Sequence, residues 1–166
     1  QRYEGRFKVS FSITGVAIEQ FKKYCPEVIS TFDALAETGC VEFLAETYYH
    51  SLSFLYSRNE FFEEVRQHIE LMQKMWGQTP LVFRNTELIY NNHLAETLEE
   101  MNLFDAVITE GADRILGHRN ANFVYRPPNC KHLKLLLKNY SLSDDIAFRF
   151  SNRGWEEWPL DAPKFS

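Results

Sequence analysis

The chain has 166 residues, 45% of them hydrophobic and 25% charged, which is the composition of one ordinary globular domain long enough to bury a core. A net charge of −5 argues against nucleic acid or an anionic membrane as partner, because both are held through clustered Lys and Arg. No apolar run approaches the roughly 20 residues needed to cross a bilayer.

Phe7, Val9, Phe11 and Ile13 alternate with polar residues and predict a first strand. Gly15 opens a helical stretch with Ala17, Phe21 and Tyr24 on one face. Pro26 suits the first turn of a second helix, whose apolar stripe is Val28, Ile29, Phe32, Leu35 and Ala36 and which Gly39 stops. Residues 40–45 read as a second strand. Asn59 is the expected N-cap of a long helix carrying Phe61, Val65, Ile69, Met72 and Trp76, ended by Gly77 and Pro80. Residues 81–84 predict a third strand. Asn91 or Asn92 caps a further helix with Leu94, Leu98 and Met101 on one face, and residues 106–109 predict a fourth strand. Shorter strand candidates lie at 123–125 and 133–137.

Strands alternating with helices in this rhythm mean βαβ units and a parallel sheet. The pattern leaves both a barrel-like closure and an open doubly wound sheet available. No Gly-rich dinucleotide or Walker motif follows a strand, so nothing supports a nucleotide fold.

In parallel β/α folds ligands sit at the carboxyl ends of the strands. Three predicted strands run into a carboxylate there: Glu46, Glu87 and Glu110. The period-two rule puts Glu42 and Glu46 on one face of the second strand, and Leu81, Phe83, Asn85 and Glu87 on one face of the third. Carboxylates gathered at one end of a sheet repel one another. Glycoside hydrolysis is a reason to keep them, because it needs two carboxyl groups with separated proton affinities. The bland alternative is helix caps and partners for Arg84, Arg114, Arg119, Arg126, Arg149 or Arg153. Tyr48-Tyr49-His50 follows Glu46 and reads either as a sugar-stacking, hydrogen-bonding platform or as a packed loop. His68 and His93 fall in helices and read as surface or packing residues. Asp144 and Asp145 read locally as acids at a helix start, with Ser143 as N-cap.

The 14 Phe, 8 Tyr and 3 Trp suit a core and equally a sugar-stacking cleft. Cys25, Cys40 and Cys130 are odd in number and widely spaced, which favours free thiols and a cytoplasmic setting. No metal-ligand spacing is present, so neither a metal nor another cofactor is expected.

The stretches Gly39-Cys-Val-Glu-Phe-Leu44, Val82-Phe-Arg-Asn-Thr-Glu-Leu-Ile-Tyr90 and Leu142-Ser-Asp-Asp-Ile-Ala-Phe-Arg-Phe-Ser-Asn-Arg153 resemble, in order, motifs of glycoside hydrolase family 57. The likeness is to the archaeal and bacterial α-amylase-like subgroup and also takes in Thr47–His50 and Thr109–Asp113. It implies part of an incomplete (β/α)7 barrel with parallel strands, acting without a metal on α-1,4-linked glucans or maltooligosaccharides by a retaining double displacement. The match places the nucleophile on Glu87 and the acid/base on the Asp144-Asp145 pair, with Asp145 favoured. Arg84 or Arg149 would then hold Glu87 ionised, and Glu46, His50 and Glu110 would bind sugar hydroxyls, with Glu42, Tyr48 and Asp144 beside them.

The family's His-Gln-Pro strand motif and its last motif are not evident, and the chain opens on a strand without Met. Residues 1–166 are therefore expected to be a single piece of a longer catalytic barrel, cut at both ends, with the rest of the barrel as its partner. Two other readings stand beside this one. One is an inactive glycan-binding or structural barrel module. The other is a different barrel hydrolase, such as a polysaccharide deacetylase-like enzyme, which would need a metal triad of Asp and His.

Overall fold

The structure, a computed structural model, describes residues 5–156, 158, 159 and 163. Five short strands alternate with helices. Strand β1 is Val9–Phe11, followed by helices α1 (Gly15–Tyr24) and α2 (Pro26–Glu37), then β2 (Val41–Phe43). The long helix α3 (Arg58–Trp76) leads to β3 (Val82–Arg84), and α4 (Asn92–Met101) leads to β4 (Ala106–Thr109). A single turn α5 (Asp113–Leu116), β5 (Lys134–Leu137) and a short α6 (Tyr140–Asp144) follow, the last running into a π-helical turn over Asp145–Arg149.

All strand pairings between these elements are parallel: β1 with β2, β3 with β4, and β4 with β5. The two sheets are joined by a parallel bridge, Ala45 to Phe83, in which the Ala45 amide donates to Val82 O and the Arg84 amide donates to Ala45 O, both at 2.8 Å. The strand order is therefore the chain order. A doubly wound sheet would reverse direction at a switch point, so this succession is a wedge of a barrel.

The helices cover one face. Phe43 packs with Ile18 of α1 and Met72 of α3, and Phe11, Phe32 and Trp76 close around it. The Phe43 and Trp76 rings stack with centroids 3.9 Å apart. Ala45, Phe83 and Val107 pack under Phe61 and Val65 of α3 and Leu94, Ala95 and Leu98 of α4. Register puts Ser10 beside Glu42, and Arg84 beside Ile108, on the opposite, partly exposed face.

Local chemistry explains the helix ends, with some corrections to the sequence reading. Ser57, not Asn59, caps α3, its hydroxyl accepting from the Glu60 amide, and Gly77 closes it in the left-handed conformation that glycine tolerates. Asn91 caps α4 through the Leu94 amide. Asn139, not Ser143, caps α6, so Asp144 and Asp145 lie past the first turn and not at a helix start. The predicted strand at 123–125 reduces to one antiparallel bridge, Tyr125 to Leu135. His68, expected as a surface or packing residue, is completely buried in α3, its ring donating from Nε2 to Ile13 O at 2.8 Å.

Candidate active site

The carboxyl ends of β2, β3 and β4 meet at one end of the wedge. Two segments are fastened together there. The loop after β2 is closed by Thr47, whose hydroxyl accepts from the Ser51 amide at 3.0 Å. The Glu64 carboxylate of α3 holds the same loop through the Tyr49 amide and the Ser51 hydroxyl. After β3 comes a 3-10 turn over Thr86–Leu88, and Thr86 donates its hydroxyl to Ser51 O at 2.8 Å and lies 3.2 Å from the Thr47 hydroxyl. Thr109, at the end of β4, donates to Leu88 O at 3.1 Å and anchors the other side of the turn.

This stitching brings a chain of three side chains into line. Glu46 is 1% exposed, and its Oε1 accepts from the Ser12 hydroxyl at 2.7 Å. Its Oε2 lies 3.4 Å from His50 Nδ1. His50 Nε2 lies 3.2 Å from Glu87 Oε1. The Glu87 side chain is 73% exposed, so one of its faces remains open to solvent. Both His50 (φ 56°) and Glu87 (φ 53°) occupy the left-handed region, as does Leu88 (φ 55°). Non-glycine residues adopt it at a cost, and such strain gathers at functional sites.

The left-handed turn also corrects the face assignment of Glu87. The period-two rule groups it with Phe83, which is buried against α3 and α4. The strand ends at Arg84, and the turn swings the carboxylate away from that face and toward His50.

The other sequence-derived residues are distributed as follows. Glu42 is exposed and accepts from the Ser10 hydroxyl across β1 and β2. The Tyr48 ring lies over Gly15, and its hydroxyl donates to Glu19 of α1 at 2.6 Å. That bond to a carboxylate, together with burial, pushes the phenol up to about 12. Arg84 sits half-buried on β3 beside Ile108. Arg149 is paired with Asp145, and the side chain beside Glu87 is His50, not the expected arginine. Asp144 is half-buried. Among the described residues no hydrogen bond or ion pair joins Asp144 or Asp145 to Glu87.

A cavity of about 690 Å³ opens beside Glu87. Glu110 lines it, with Oε2 buried and without a hydrogen-bond donor among the described residues. Tyr90, Tyr125, Arg119, Arg126 and Pro128 line the same space. The sequence reading missed these as site residues. Tyr90 ends one of the motif stretches, a signal that was available. Tyr125 and Arg126 belong to a loop whose place depends on the bridge to β5.

The sequence profile of Glycosyl hydrolase family 57 matches residues 1–166. The chain belongs to this family. A family 57 chain of this kind has a relative in Methanocaldococcus jannaschii, named "Putative alpha-amylase", that is 46% identical over 161 residues, 96% of this chain and 34% of that protein. The chain thus spans about a third of the relative's length. Among solved structures, the 4-α-glucanotransferase of Thermococcus litoralis superposes with a TM-score of 0.76 at 14% identity, over 89% of this chain and 24% of that one. A "putative polysaccharide deacetylase" from Mycobacterium smegmatis superposes with a TM-score of 0.62 at 17% identity, over 97% of this chain and 51% of the other. Identities this low speak to fold alone. The family 57 assignment fixes the wedge as part of a (β/α)7 barrel, and among the described residues no helix is long and apolar enough to cross a membrane.

Proposed function

We propose that this chain supplies the nucleophile side of a family 57 active site that cleaves or transfers α-1,4-linked glucans with retention of configuration. The observation that carries the reading is Glu87. It is a solvent-facing carboxylate at the carboxyl end of β3, turned out by a left-handed backbone and held by a histidine at the rim of a cavity.

In the first half of the reaction, a Glu87 carboxylate oxygen forms a bond to the anomeric carbon as the glycosidic bond breaks, while an acid protonates the leaving oxygen. In the second half, the same acid, now a base, takes a proton from water or an acceptor sugar hydroxyl, whose oxygen displaces Glu87. Family resemblance assigns that acid/base role to Asp145, with Asp144 beside it. Retention requires the two carboxyl groups to lie about 5–5.5 Å apart. Asp145 is paired with Arg149, so its carboxyl must leave that pair to reach the leaving oxygen in the substrate complex. Glu110 offers a buried acceptor without a donor among the described residues, which a sugar hydroxyl would satisfy, and Tyr90 and Tyr125 offer ring faces to the apolar face of a pyranose. Three free cysteines suit a reducing, cytoplasmic compartment.

The deacetylase-like reading rests on fold likeness alone, whereas the sequence profile covers the whole chain. The decisive test uses the full-length protein. A fluorinated α-glucosyl fluoride that forms but slowly releases the covalent intermediate should add its mass to the peptide containing Glu87, and the sugar first released from maltooligosaccharide should keep the α configuration. A label elsewhere, or β product, defeats the proposal.

A further inference from the structure

Glu46 and His50 were both natural candidates for contacts to sugar. The structure joins both of them to Glu87. Glu46 is buried, so its carboxylate has no face to offer a ligand. Its two oxygens are engaged by Ser12 and by His50 Nδ1. His50 in turn presents Nε2 to Glu87. Each ring nitrogen of His50 therefore faces one carboxylate. A buried carboxylate is itself tolerated only when hydrogen-bonded, which Ser12 and the His50 ring achieve together.

We infer that Glu46 and His50 form a positioning relay: buried Glu46 fixes the His50 ring, and the ring orients Glu87 for attack. The inference rests on Glu87 being the nucleophile. Three further observations support it. The ring is only part exposed, at 41%, and reaches both carboxylates at once. The Thr47, Thr86 and Ser51 bonds fix the two loops against each other, so the contact is built by the fold and not by chance surface rotamers. Both contacting residues adopt left-handed backbone, a strain of the kind that gathers at functional sites. Two groups of α3 lie near the relay: buried His68, close enough to feel the Glu46 charge, and Glu64, which holds the Tyr49 amide and Ser51 hydroxyl of the same loop.

The test uses the full-length protein and an activated α-glucoside donor. His50→Gly removes the ring at a position whose φ suits glycine, so it should fold as well as the parent. We expect kcat to fall about 10- to 100-fold with KM within about twofold, the size of a lost hydrogen bond to a charged group. Free imidazole added to His50→Gly should restore much of the lost kcat by re-entering between the two carboxylates. Glu46→Gln should lower kcat in the same direction, and Glu46→Gln with His50→Gly should be no worse than His50→Gly alone, because both act through one ring. A rise in KM at constant kcat, absence of imidazole rescue, or additive losses in the double variant would overturn the relay, since those mark sugar contact or a merely structural role. If Glu46→Gln does not fold, kcat and imidazole rescue in His50→Gly alone decide the question. Failure of the nucleophile reading is separable: the covalent label would then miss Glu87, whatever His50→Gly does.

Discussion

The Tyr48 ring lies directly over Gly15, so close that a Cβ on the glycine would come within 2.4 Å of it. The contact ties the start of α1 to the loop that carries His50, and the Tyr48–Glu19 hydrogen bond and the Val16 amide on Tyr48 O reinforce it. Gly15→Ala would ordinarily help a helix by about 1 kcal/mol. Here it overfills the contact, at a cost of about 1–3 kcal/mol. We expect a net loss of stability in urea denaturation, and a gain when the same substitution is made in a Tyr48→Ala background. A gain in both backgrounds would mean that the ring moves aside freely.

The same tyrosine should titrate late. Its hydrogen bond to Glu19 and its burial raise it from the ordinary 10.0 of a phenol to about 12. A phenol raised on folding contributes stability that is fully present below pH 10 and is lost as pH rises through about 12. NMR of labelled tyrosine should show the ring removed by Tyr48→Phe, along with buried Tyr90, still protonated when exposed tyrosines have ionised. Glu19→Gln should bring that ring back toward the ordinary range.

His68 gives a pH dependence of the opposite sense. Burial lowers its proton affinity below the ordinary 6.5 of an imidazole, outweighing the Ile13 carbonyl and the Glu46 charge, which act the other way. A depressed histidine contributes stability above pH 6.5 that is lost as pH falls toward its folded value. Nitrogen NMR should find the ring neutral below pH 6.5 with the proton on Nε2, the atom that donates to Ile13 O. Urea denaturation from pH 7 to pH 5 should show falling stability, and His68→Gln should flatten that slope. A ring that protonates at pH 6.5 or above would refute this.

Asp144 and Asp145 are distinguished by partner, since Arg149 pairs with Asp145. With Asp145 as acid/base, Asp145→Asn in the full-length protein should cut glucan cleavage on the order of 100-fold or more. Its first step on an α-glucosyl fluoride, whose leaving group needs little protonation, should survive. Asp144→Asn should keep both activities within about tenfold, the scale of one ordinary polar contact. The reverse pattern would move the role to Asp144.

Much of this was legible in the sequence because it depends on neighbours along the chain. Alternation at Val9 and Phe11, the stripe from Phe61 to Met72 and the glycine at 77 gave strands, helix and stop in their places. The strand pattern placed Glu46, Glu87 and Glu110 after the carboxyl ends of three strands, where the structure has them, just past β2, β3 and β4. Caps were less secure, because Ser57 and Asn59, or Asn139 and Ser143, are chemically interchangeable in that role. What only the tertiary structure decided are the contacts between loops. The Ala45–Phe83 bridge, which orders the strands as a barrel wedge, joins residues 38 apart (83 − 45). The line from Glu46 through His50 to Glu87 depends on two left-handed residues and on hydroxyls bonding across loops, none of which has a periodic signature. Periodicity reports which face a side chain takes while a strand continues. Once the strand ends at Arg84, the turn sets the direction, and the packing of β2 against β3 sets what Glu87 meets.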